Sequence, residues 1–318
     1  MNFQLFIIKK LKINLMLKNF KPIIIVAGEP KSVFLEIFFK TFKKFKNNPL
    51  ILIANKKLLI DHSKLLKIKN SIRILNDQKK INYKLLDNKK INLIDIPLNY
   101  KSLKKINIKN SNNYIKNCFD KAVDLLKNDR KLRLINGPIV KKSYLGKKYH
   151  GITEYLGSKY PVKDNVVMLI YNKNLSVSPL TTHIPLKEVH KNITKKKIIN
   201  HVDKIYSFYK KNFNINPCFA ITGLNPHCES NLKFNEENTV IKPAINFLSK
   251  KKYKISGPYP ADTIFMKKNM KKFDVIIGMY HDQVLTPIKT IYEFDAINIT
   301  LGLPFLRVSP DHGPNLSM

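Results

Sequence analysis

The sequence predicts an α/β protein whose sheet is largely parallel. Short apolar runs alternate along the chain with segments of helical period, which is typical of this class. The chain has 318 residues and a hydrophobic content of 44%, so it can bury the core of one or two domains of ordinary size. No internal repeat stands out. We therefore expect strands and helices to alternate from the first apolar run to the last.

The predicted strands are the short apolar runs, taken in chain order. They are Ile23–Ala27, Leu50–Ala54, Ile72–Leu75, Ile91–Ile96, Leu132–Ile135, Val166–Tyr171, Cys218–Thr222, Val275–Met279 and Ala296–Thr300. Longer segments lie between some of them, and in these the apolar residues recur at the helical period. The predicted helices are Val33–Phe45, Tyr114–Leu126, Ile193–Phe213 and Thr239–Leu248. The stretch from Asp77 to Lys109 is rich in Lys and Asn and is expected to form loops around one strand.

Two turn signals suggest how these elements divide into domains. One junction is expected near Asn136–Pro138, where a strand ends in a Gly-Pro turn, and another after Pro287. The first domain would then comprise residues 21–135 and 288–318, and the second residues 136–287. Residues 1–20 have apolar runs too short to span a bilayer and no small-residue cleavage site after them. They are expected to be an N-terminal extension, and an amphipathic surface helix is the alternative.

The charge of the chain bears on its partners. A net charge of +36 first suggests nucleic acid or an anionic membrane surface. Only four of the 58 basic residues are arginine, however, and the lysines are spread through the whole sequence. Nucleic-acid grooves favour arginine interleaved with aromatic residues, a pattern that this sequence lacks. We therefore expect no specific nucleic-acid partner and no membrane attachment; the alternative, a basic nucleic-acid binder, predicts tight binding at moderate salt.

Cysteine usage indicates the compartment. The three cysteines, Cys118, Cys218 and Cys228, are odd in number and form no CxxC pair. Free thiols in a reducing compartment are the simplest account, so the cytoplasm is the expected location.

Three histidines, His183, His227 and His281, each follow an apolar run in the second half of the chain. Parallel strands would bring them to one edge of a sheet, where three imidazoles make a site for a divalent cation with open coordination positions. Neutral imidazole suits zinc, cobalt or iron(II), and nearby carboxylates widen the choice to magnesium or manganese. Asp262 and Asp282 are the carboxylates we expect there, either orienting a ligand or acting as acid and base. The alternative for any histidine is a satisfied core or surface residue, and we expect this of His62, His150, His190 and His201.

Cationic and amide residues recur near the end of the sequence. Lys289, Asn298 and Arg307 are spaced nine residues apart. In a chain that uses lysine almost everywhere, Arg307 suggests bidentate capture of a carboxylate or phosphate, while the alternative is a surface ion pair. The turn Gly28-Glu29-Pro30 and the loop Asn136–Lys141 are weaker candidates for anion binding through backbone N–H groups, and plain turns are the alternative.

Taken together, these segments resemble the 4-hydroxythreonine-4-phosphate dehydrogenases, a family of pyridoxal phosphate biosynthesis. The resemblance extends from about residue 22 to the end, with the motifs in family order and at family spacing. The matching stretches are Gly28-Glu29-Pro30 with Glu36, Gly137-Pro138 with Lys141, Thr153-Glu154, Thr181–Leu186, Gly223–His227 with Glu229, Gly257-Pro258 with Pro260–Thr263, Tyr280–Gln283, Thr300–Pro304, Arg307 and Ser309–Gly313.

The resemblance implies a fold and a reaction. The fold is that of isocitrate and isopropylmalate dehydrogenases, with two α/β/α domains, a cleft between them and a homodimeric assembly. The reaction oxidises the secondary alcohol of 4-phosphooxy-L-threonine with NAD or NADP in the presence of zinc, cobalt or magnesium. The β-keto acid then loses CO2 and leaves 3-amino-2-oxopropyl phosphate.

The resemblance also assigns roles to residues. His183, His227 and His281 align with metal ligands at a dimer interface. The positions that align with substrate contacts are Thr153, Lys289, Asn298 and Arg307. The residues expected to act in catalysis, by neutralising charge or moving a proton, are Asp262, Asp282 and Lys289.

The chain departs from the family pattern at several places. Ile152 stands where the family has a histidine, which removes one expected substrate contact. Ser32 and Phe34 replace glycines of the first loop. After Gly313 the family continues with Thr-Ala and a terminal helix, whereas here Pro314-Asn315 follow, so the C-terminus looks truncated and cofactor binding is expected to weaken.

The departures leave the cofactor site and the activity open. Gly302, His312 and Gly313 are candidates for contact with the cofactor. The alternatives to the main hypothesis are a paralogous dehydrogenase for another phosphorylated hydroxy acid and an inactive remnant that acts only as a binding protein.

Overall fold

The computed structural model describes residues 22–45, 48–75, 81–83, 86–129, 131–140, 151–160, 166–228 and 235–313. The expected N-terminal extension, Lys141, His150, Glu229 and the chain end after Gly313 lie outside these residues. The chain divides into two compact units, residues 1–164 with 303–318, and residues 165–302.

The first unit is built on a parallel sheet of six described strands. They are β1 (Ile23–Val26), β2 (Leu50–Ala54), β3 (Ile72–Ile74), β4 (Ile91–Asp95), β5 (Arg133–Asn136) and β12 (Arg307–Pro310). Their order is β3-β4-β2-β1-β5-β12, and each recorded pairing is parallel. In the centre, Ile23 pairs with Leu50 and Val26 with Ile53. Because β1 and β2 are fully buried, their unbroken apolar sequences are the kind that this position requires.

The first unit contains four α-helices, and side chains cap the start of two of them. They are α1 (Phe34–Phe42), α2 (Lys56–Leu65), α3 (Ile108–Asn128) and α4 (Ile152–Ser158). The side chain of Asn55 accepts a hydrogen bond from the backbone N–H of Leu58 in α2, and Asn107 does the same for Asn110 in α3. The apolar side of α3 contributes Tyr114, which is 1% exposed, to the core of this unit.

The second unit contains a mixed sheet of six described strands. They are β6 (Val167–Tyr171), β7 (Ser176–Thr181), β8 (Phe219–Thr222), β9 (Ile255–Tyr259), β10 (Val275–Tyr280) and β11 (Ile297–Leu301). Their order is β11-β6-β7-β10-β8-β9. The four strands from β7 to β9 are parallel to one another, whereas β6 is antiparallel to both β7 and β11.

Helices of the second unit connect these strands. They are α5 (Leu186–Val189), α6 (Lys195–Phe213), α7 (Lys242–Lys250), α8 (Ala261–Ile264), α9 (Lys267–Met270) and α10 (His281–Tyr292). Thr194 caps the start of α6, and Asn214 ends it in the left-handed conformation with φ of 58°. A π-helical turn, Glu237–Ile241, leads directly into α7.

The nine predicted strands are confirmed, each to within one residue at either end. The four predicted helices are also present, with shifted ends. Three strands were not predicted, β7, β9 and β12, because Ser, Gly, Pro and Arg interrupt their apolar pattern. In the described part of the chain, no helix is both long and apolar enough to cross a lipid bilayer.

The junctions between the two units fall later along the chain than the turn signals suggested. Gly137 donates its backbone N–H to Val26, and Glu29 donates to Pro138, so the Gly-Pro turn is part of the first unit. Pro287 lies inside α10 rather than at its end. A proline costs a helix one backbone hydrogen bond, but burial of Val284 and Ile288 on either side stabilises the helix through it.

Candidate active site

Four neighbouring parallel strands of the second unit end at one edge of its sheet. In sheet order they are β7, β10, β8 and β9. His183 follows β7, His281 follows β10, His227 follows β8, and Asp262 follows β9. Since carboxyl ends of parallel strands lie at the same edge, the topology places three imidazoles and a carboxylate along it.

Two of the histidines lie close together. The ring centroids of His183 and His281 are 5.4 Å apart, with a tilt of 40° between the ring planes. Nδ1 of His281 lies 2.6 Å from Oδ1 of Asp282. A carboxylate on Nδ1 fixes the ring orientation and leaves Nε2 for a ligand, which is the arrangement common at metal-binding histidines.

The backbone at this edge adopts unusual conformations. His183, His227 and Cys228 have φ values of 24°, 58° and 60°. Positive φ is uncommon outside glycine, and a strained backbone conformation costs about 1–3 kcal/mol per residue. The surrounding structure must therefore hold these residues in place.

Glu237 holds the loop that contains His227. This side chain is fully buried, and its Oε1 accepts hydrogen bonds from the backbone N–H groups of Leu224 and Asn225, both at 2.8 Å. The side-chain amide of Asn225 donates to Oε2 at 2.9 Å. Burial alone would raise the pKa of Glu237, but the hydrogen bonds from Asn225 and Leu224 outweigh it and lower the pKa. Glu237 is therefore an ionised anchor for this loop.

Hydrogen bonds also join neighbouring strands at this edge of the sheet. Oγ1 of Thr181, the last residue of β7, donates to the carbonyl oxygen of Met279 in β10 at 2.7 Å. The loop after β8 is joined to β9 by the backbone N–H of Gly223, which donates to Tyr259 at 3.0 Å. A Cβ at Gly223 would lie 2.7 Å from Sγ of Cys228, so a larger residue there would displace that side chain.

The donors at this edge fit a divalent cation of the zinc or cobalt type, for which neutral imidazole is a preferred ligand. Among the residues that the structure describes, however, no group of three or more His, Cys, Asp or Glu side chains is arranged to hold a metal in one chain. The structure brings His183 and His281 together and places His227 in the loop after β8, the strand next to β10 at the same edge. The metal-binding role of the three remains a prediction.

Other predicted residues of the second unit are spread along α10 and β11. Lys289 is half-buried in the last turn of α10, and Gly302 follows β11 with φ of 88°. Asn298 lies within β11, and its Oδ1 is buried without a hydrogen-bond partner. A buried acceptor left unpaired costs about 1–3 kcal/mol, so an N–H or O–H group of a ligand would be stabilising there.

Two predicted substrate residues meet in the first unit. Nε of Arg307 donates to Oδ1 of Asn136 at 2.7 Å, and its NH1 group donates to Oγ1 of Thr153 at 3.5 Å. Arg307 is only 3% exposed. Burial lowers the pKa of its guanidinium to about 9, while the negative charge of Glu154 opposes this shift. The group is still cationic at neutral pH, and it is poorly solvated, so it would attract an anion strongly.

Sequence reasoning missed Asn136 and Glu154 as partners of Arg307. Glu154 follows Thr153 directly in a matching motif, and Asn136 follows the predicted strand Leu132–Ile135. The contact of Asn136 with Arg307 depends on the pairing of β5 with β12, and the influence of Glu154 depends on the placement of α4, whose Thr153 accepts a hydrogen bond from Arg307. Ile152, which replaces the family histidine, is 6% exposed and belongs to the apolar core of this unit.

The turn after β1 is not arranged to bind an anion through Glu29. The backbone N–H of Glu29 already donates to Pro138 at 2.9 Å, so the plain tight turn describes it better. Gly28, with φ of 78°, is required because a Cβ would lie 2.5 Å from the carbonyl oxygen of Pro138. The carboxyl group of Glu29 accepts a hydrogen bond from Ser111 at 2.8 Å, and burial raises its pKa.

Comparison with known proteins decides the family. The family model of the pyridoxal phosphate biosynthetic protein PdxA matches residues 46–318. The chain belongs to the PdxA family. A 4-hydroxythreonine-4-phosphate dehydrogenase of Sulfurihydrogenibium sp. (strain YO3AOP1) is 38% identical to this PdxA-family chain over 303 residues, which cover 91% of this chain and 89% of that protein. The enzyme of the same name from Wigglesworthia glossinidia brevipalpis is 35% identical over 305 residues, or 93% and 90% of the two chains.

A solved structure supports the same conclusion. The 1.25 Å crystal structure of 4-hydroxythreonine-4-phosphate dehydrogenase from Klebsiella pneumoniae is similar to this PdxA-family chain, with a TM-score of 0.73 and 26% sequence identity. The match covers 93% of this chain and 92% of that one. The mixed α/β fold predicted from the sequence is therefore the fold of the family.

Proposed function

We propose that this chain is a metal-dependent 4-hydroxythreonine-4-phosphate dehydrogenase that uses NAD or NADP. It would oxidise the secondary alcohol of 4-phosphooxy-L-threonine and then release CO2 from the β-keto acid, which leaves 3-amino-2-oxopropyl phosphate. The observation that supports this most directly is the placement of three histidines at one sheet edge of a PdxA-family chain. A site of this composition suits polarisation of an alcohol and then of a ketone.

In this proposal His183, His227 and His281 hold the cation. A bound divalent cation supplies a Lewis acid for both the oxidation and the decarboxylation. The chain contributes oriented ligands, since Asp282 binds Nδ1 of His281 and leaves Nε2 for coordination. Zinc and cobalt suit the imidazoles, and magnesium becomes acceptable where Asp262 or Asp282 takes part.

The residues that we propose for substrate recognition are Thr153, Lys289, Asn298 and Arg307. Arg307 and Thr153 would bind one of the two anionic groups of the substrate, either the phosphate or the carboxylate. Lys289 would neutralise the charge of the remaining anionic group. The buried Oδ1 of Asn298 would accept a hydrogen bond from the substrate ammonium or hydroxyl group. Asp262 is exposed at the sheet edge and is the residue we assign to proton transfer, because Asp282 is engaged with His281.

The nicotinamide requirement follows from the dehydrogenase family. Bound NAD or NADP supplies the hydride acceptor, and the protein must hold it in line with the substrate carbon. Gly302, His312 and Gly313 are the proposed contacts. The positive φ of Gly302 and its lack of a side chain would allow a ligand to approach the backbone closely.

The proposal extends to assembly and location. It includes a homodimer with the metal site at the subunit interface, so that ligands from two chains complete the set around the cation. It also includes the two-domain architecture of isocitrate and isopropylmalate dehydrogenases, with a cleft between the domains, and a cytoplasmic location. Sedimentation of the purified chain, with and without zinc, tests the dimer.

An activity assay tests the proposed reaction. The purified chain is incubated with 4-phosphooxy-L-threonine and either nicotinamide, and reduced cofactor and released CO2 are measured. We expect both products in equal amounts, loss of turnover after dialysis against a chelator, and recovery with zinc, cobalt or magnesium. Turnover that persists after verified metal removal would refute the role of the histidines. A preference for another phosphorylated hydroxy acid would instead favour a paralogous dehydrogenase.

A further inference from the structure

Gln283 connects the two strand ends that lead to His281 and His227. It lies in the first turn of α10, two residues after His281, and is 8% exposed. Its Oε1 accepts a hydrogen bond from the backbone N–H of Met279 in β10 at 2.7 Å. The same atom accepts from Oγ1 of Thr222, the last residue of β8, at 2.8 Å. Its Nε2 donates to the carbonyl oxygen of Gly223 at 2.8 Å.

These three hydrogen bonds require a side chain that carries both a donor and an acceptor, as the amide of Gln283 does. The acceptor and the donor of one amide are used at the same time, and both face backbone or hydroxyl groups at the ends of neighbouring strands. A carboxylate would repel the Gly223 carbonyl oxygen, and an apolar side chain would leave buried polar groups unpaired. Gln283 thus joins the start of α10 to the loop after β8.

The loop after β8 is the one that presents His227 with positive φ. Glu237 fixes the internal conformation of this loop through its hydrogen bonds to Leu224 and Asn225. The ladder between β8 and β10 runs as far as Ile221 and Ile277, and Oγ1 of Thr222 also donates to the carbonyl oxygen of Ile277 at 3.4 Å. Beyond this pair, Gln283 joins the two strand ends through Thr222, Gly223 and Met279. The position of the loop after β8 relative to the start of α10 therefore depends on Gln283.

We propose that Gln283 is a positioning residue for the histidine site, which sets His227 relative to His281 and so controls the affinity for the cation. This inference rests on the metal site of the proposed function. The positioning role of Gln283 applies whether one chain or two chains supply the ligands of the cation. In both cases each chain must present its histidines in fixed positions. In this role Gln283 acts through the backbone that carries the histidines, not as a ligand.

Cobalt(II) binding to the full-length protein tests this role without any turnover. Affinity and the visible d–d absorption are measured for the wild type and for Gln283→Met, which preserves shape but removes all three bonds. We expect affinity to fall about 10- to 100-fold, as is usual when a residue behind a metal ligand is lost, together with a changed cobalt spectrum. Thr222→Val, which removes one bond, is the milder variant and should lower affinity by a few-fold.

A matched control separates positioning from general stability. Asn92 is a buried amide of the first unit, whose Nδ2 donates to Leu50 at 3.0 Å and to Asp87 at 2.9 Å. Asn92→Leu should destabilise the fold but leave the cobalt affinity and spectrum unchanged. Cobalt binding as tight in folded Gln283→Met and Thr222→Val as in the wild type would overturn the role of Gln283 alone. A wild-type protein that binds no cobalt would overturn the histidine site and this role with it.

Discussion

Replacing Arg307 by methionine is expected to lower kcat/KM for the phosphorylated substrate by about a thousandfold. The guanidinium is buried and donates hydrogen bonds to Asn136 and Thr153, which fix its orientation. Loss of one member of a buried charged pair costs about 2–5 kcal/mol, and about 4 kcal/mol corresponds to a factor of a thousand. Steady-state kinetics with the metal-loaded protein measure this effect, and circular dichroism reports whether the variant folds.

Arg307→Lys distinguishes charge from geometry. Lysine keeps the cation but cannot place two N–H donors in one plane, so we expect it to recover only part of the lost kcat/KM. Arg73→Met is the matched control, since Arg73 lies in the same unit, is about one-third exposed and pairs with Asp87 at 3.4 Å. It should change kcat/KM by less than about threefold, as expected for a surface ion pair. Undiminished kcat/KM in a folded Arg307→Met protein would remove Arg307 from the substrate site.

The fold was predictable where local sequence and burial agree. Strands such as β1 and β2 are apolar throughout because both faces are covered, and an apolar run is the direct consequence. Strand β7 was missed because its Ser176 and Ser178 are buried with their hydroxyl groups bonded to other elements, which no local pattern reveals. Helix α10 was missed because Pro287 suggests a break, although burial on both sides of it preserves the helix.

The candidate site was predictable in part, because its histidines follow recognisable apolar strands. A histidine after an apolar run indicates a strand end, and parallel pairing then places His183, His227 and His281 at a common edge. The side chains that hold this edge were not predictable. Gln283 and Glu237 bond to strand ends and loop residues far from them in sequence, so their roles depend on which strands are neighbours.

His201, which the sequence predicts to be a satisfied core or surface residue, lies in the core and couples stability to pH. It lies in α6 and is 5% exposed, and its Nε2 is 2.6 Å from Oγ of Ser178. The Ser178 hydroxyl donates to the carbonyl oxygen of Met168, so it accepts from an Nε2–H of neutral His201. Burial, together with the positive charges of Lys197 and Lys204, lowers the pKa of His201 from 6.5 to about 3.

The stability of the protein is therefore expected to fall in mild acid. Below pH 6.5 the unfolded chain binds a proton at His201 that the folded chain does not, so this group lowers the free energy of unfolding by about 1.4 kcal/mol per pH unit until the pH approaches 3. Between about pH 6.5 and about pH 5 the loss is about 2 kcal/mol. His201→Gln keeps a donor for Ser178 but cannot titrate, so urea unfolding should show a shallower pH dependence than the wild type. His190→Gln, at an exposed position of the same unit, should keep the wild-type slope. Parallel pH profiles for His201→Gln and the wild type would show that His201 is not the group that destabilises the fold in acid.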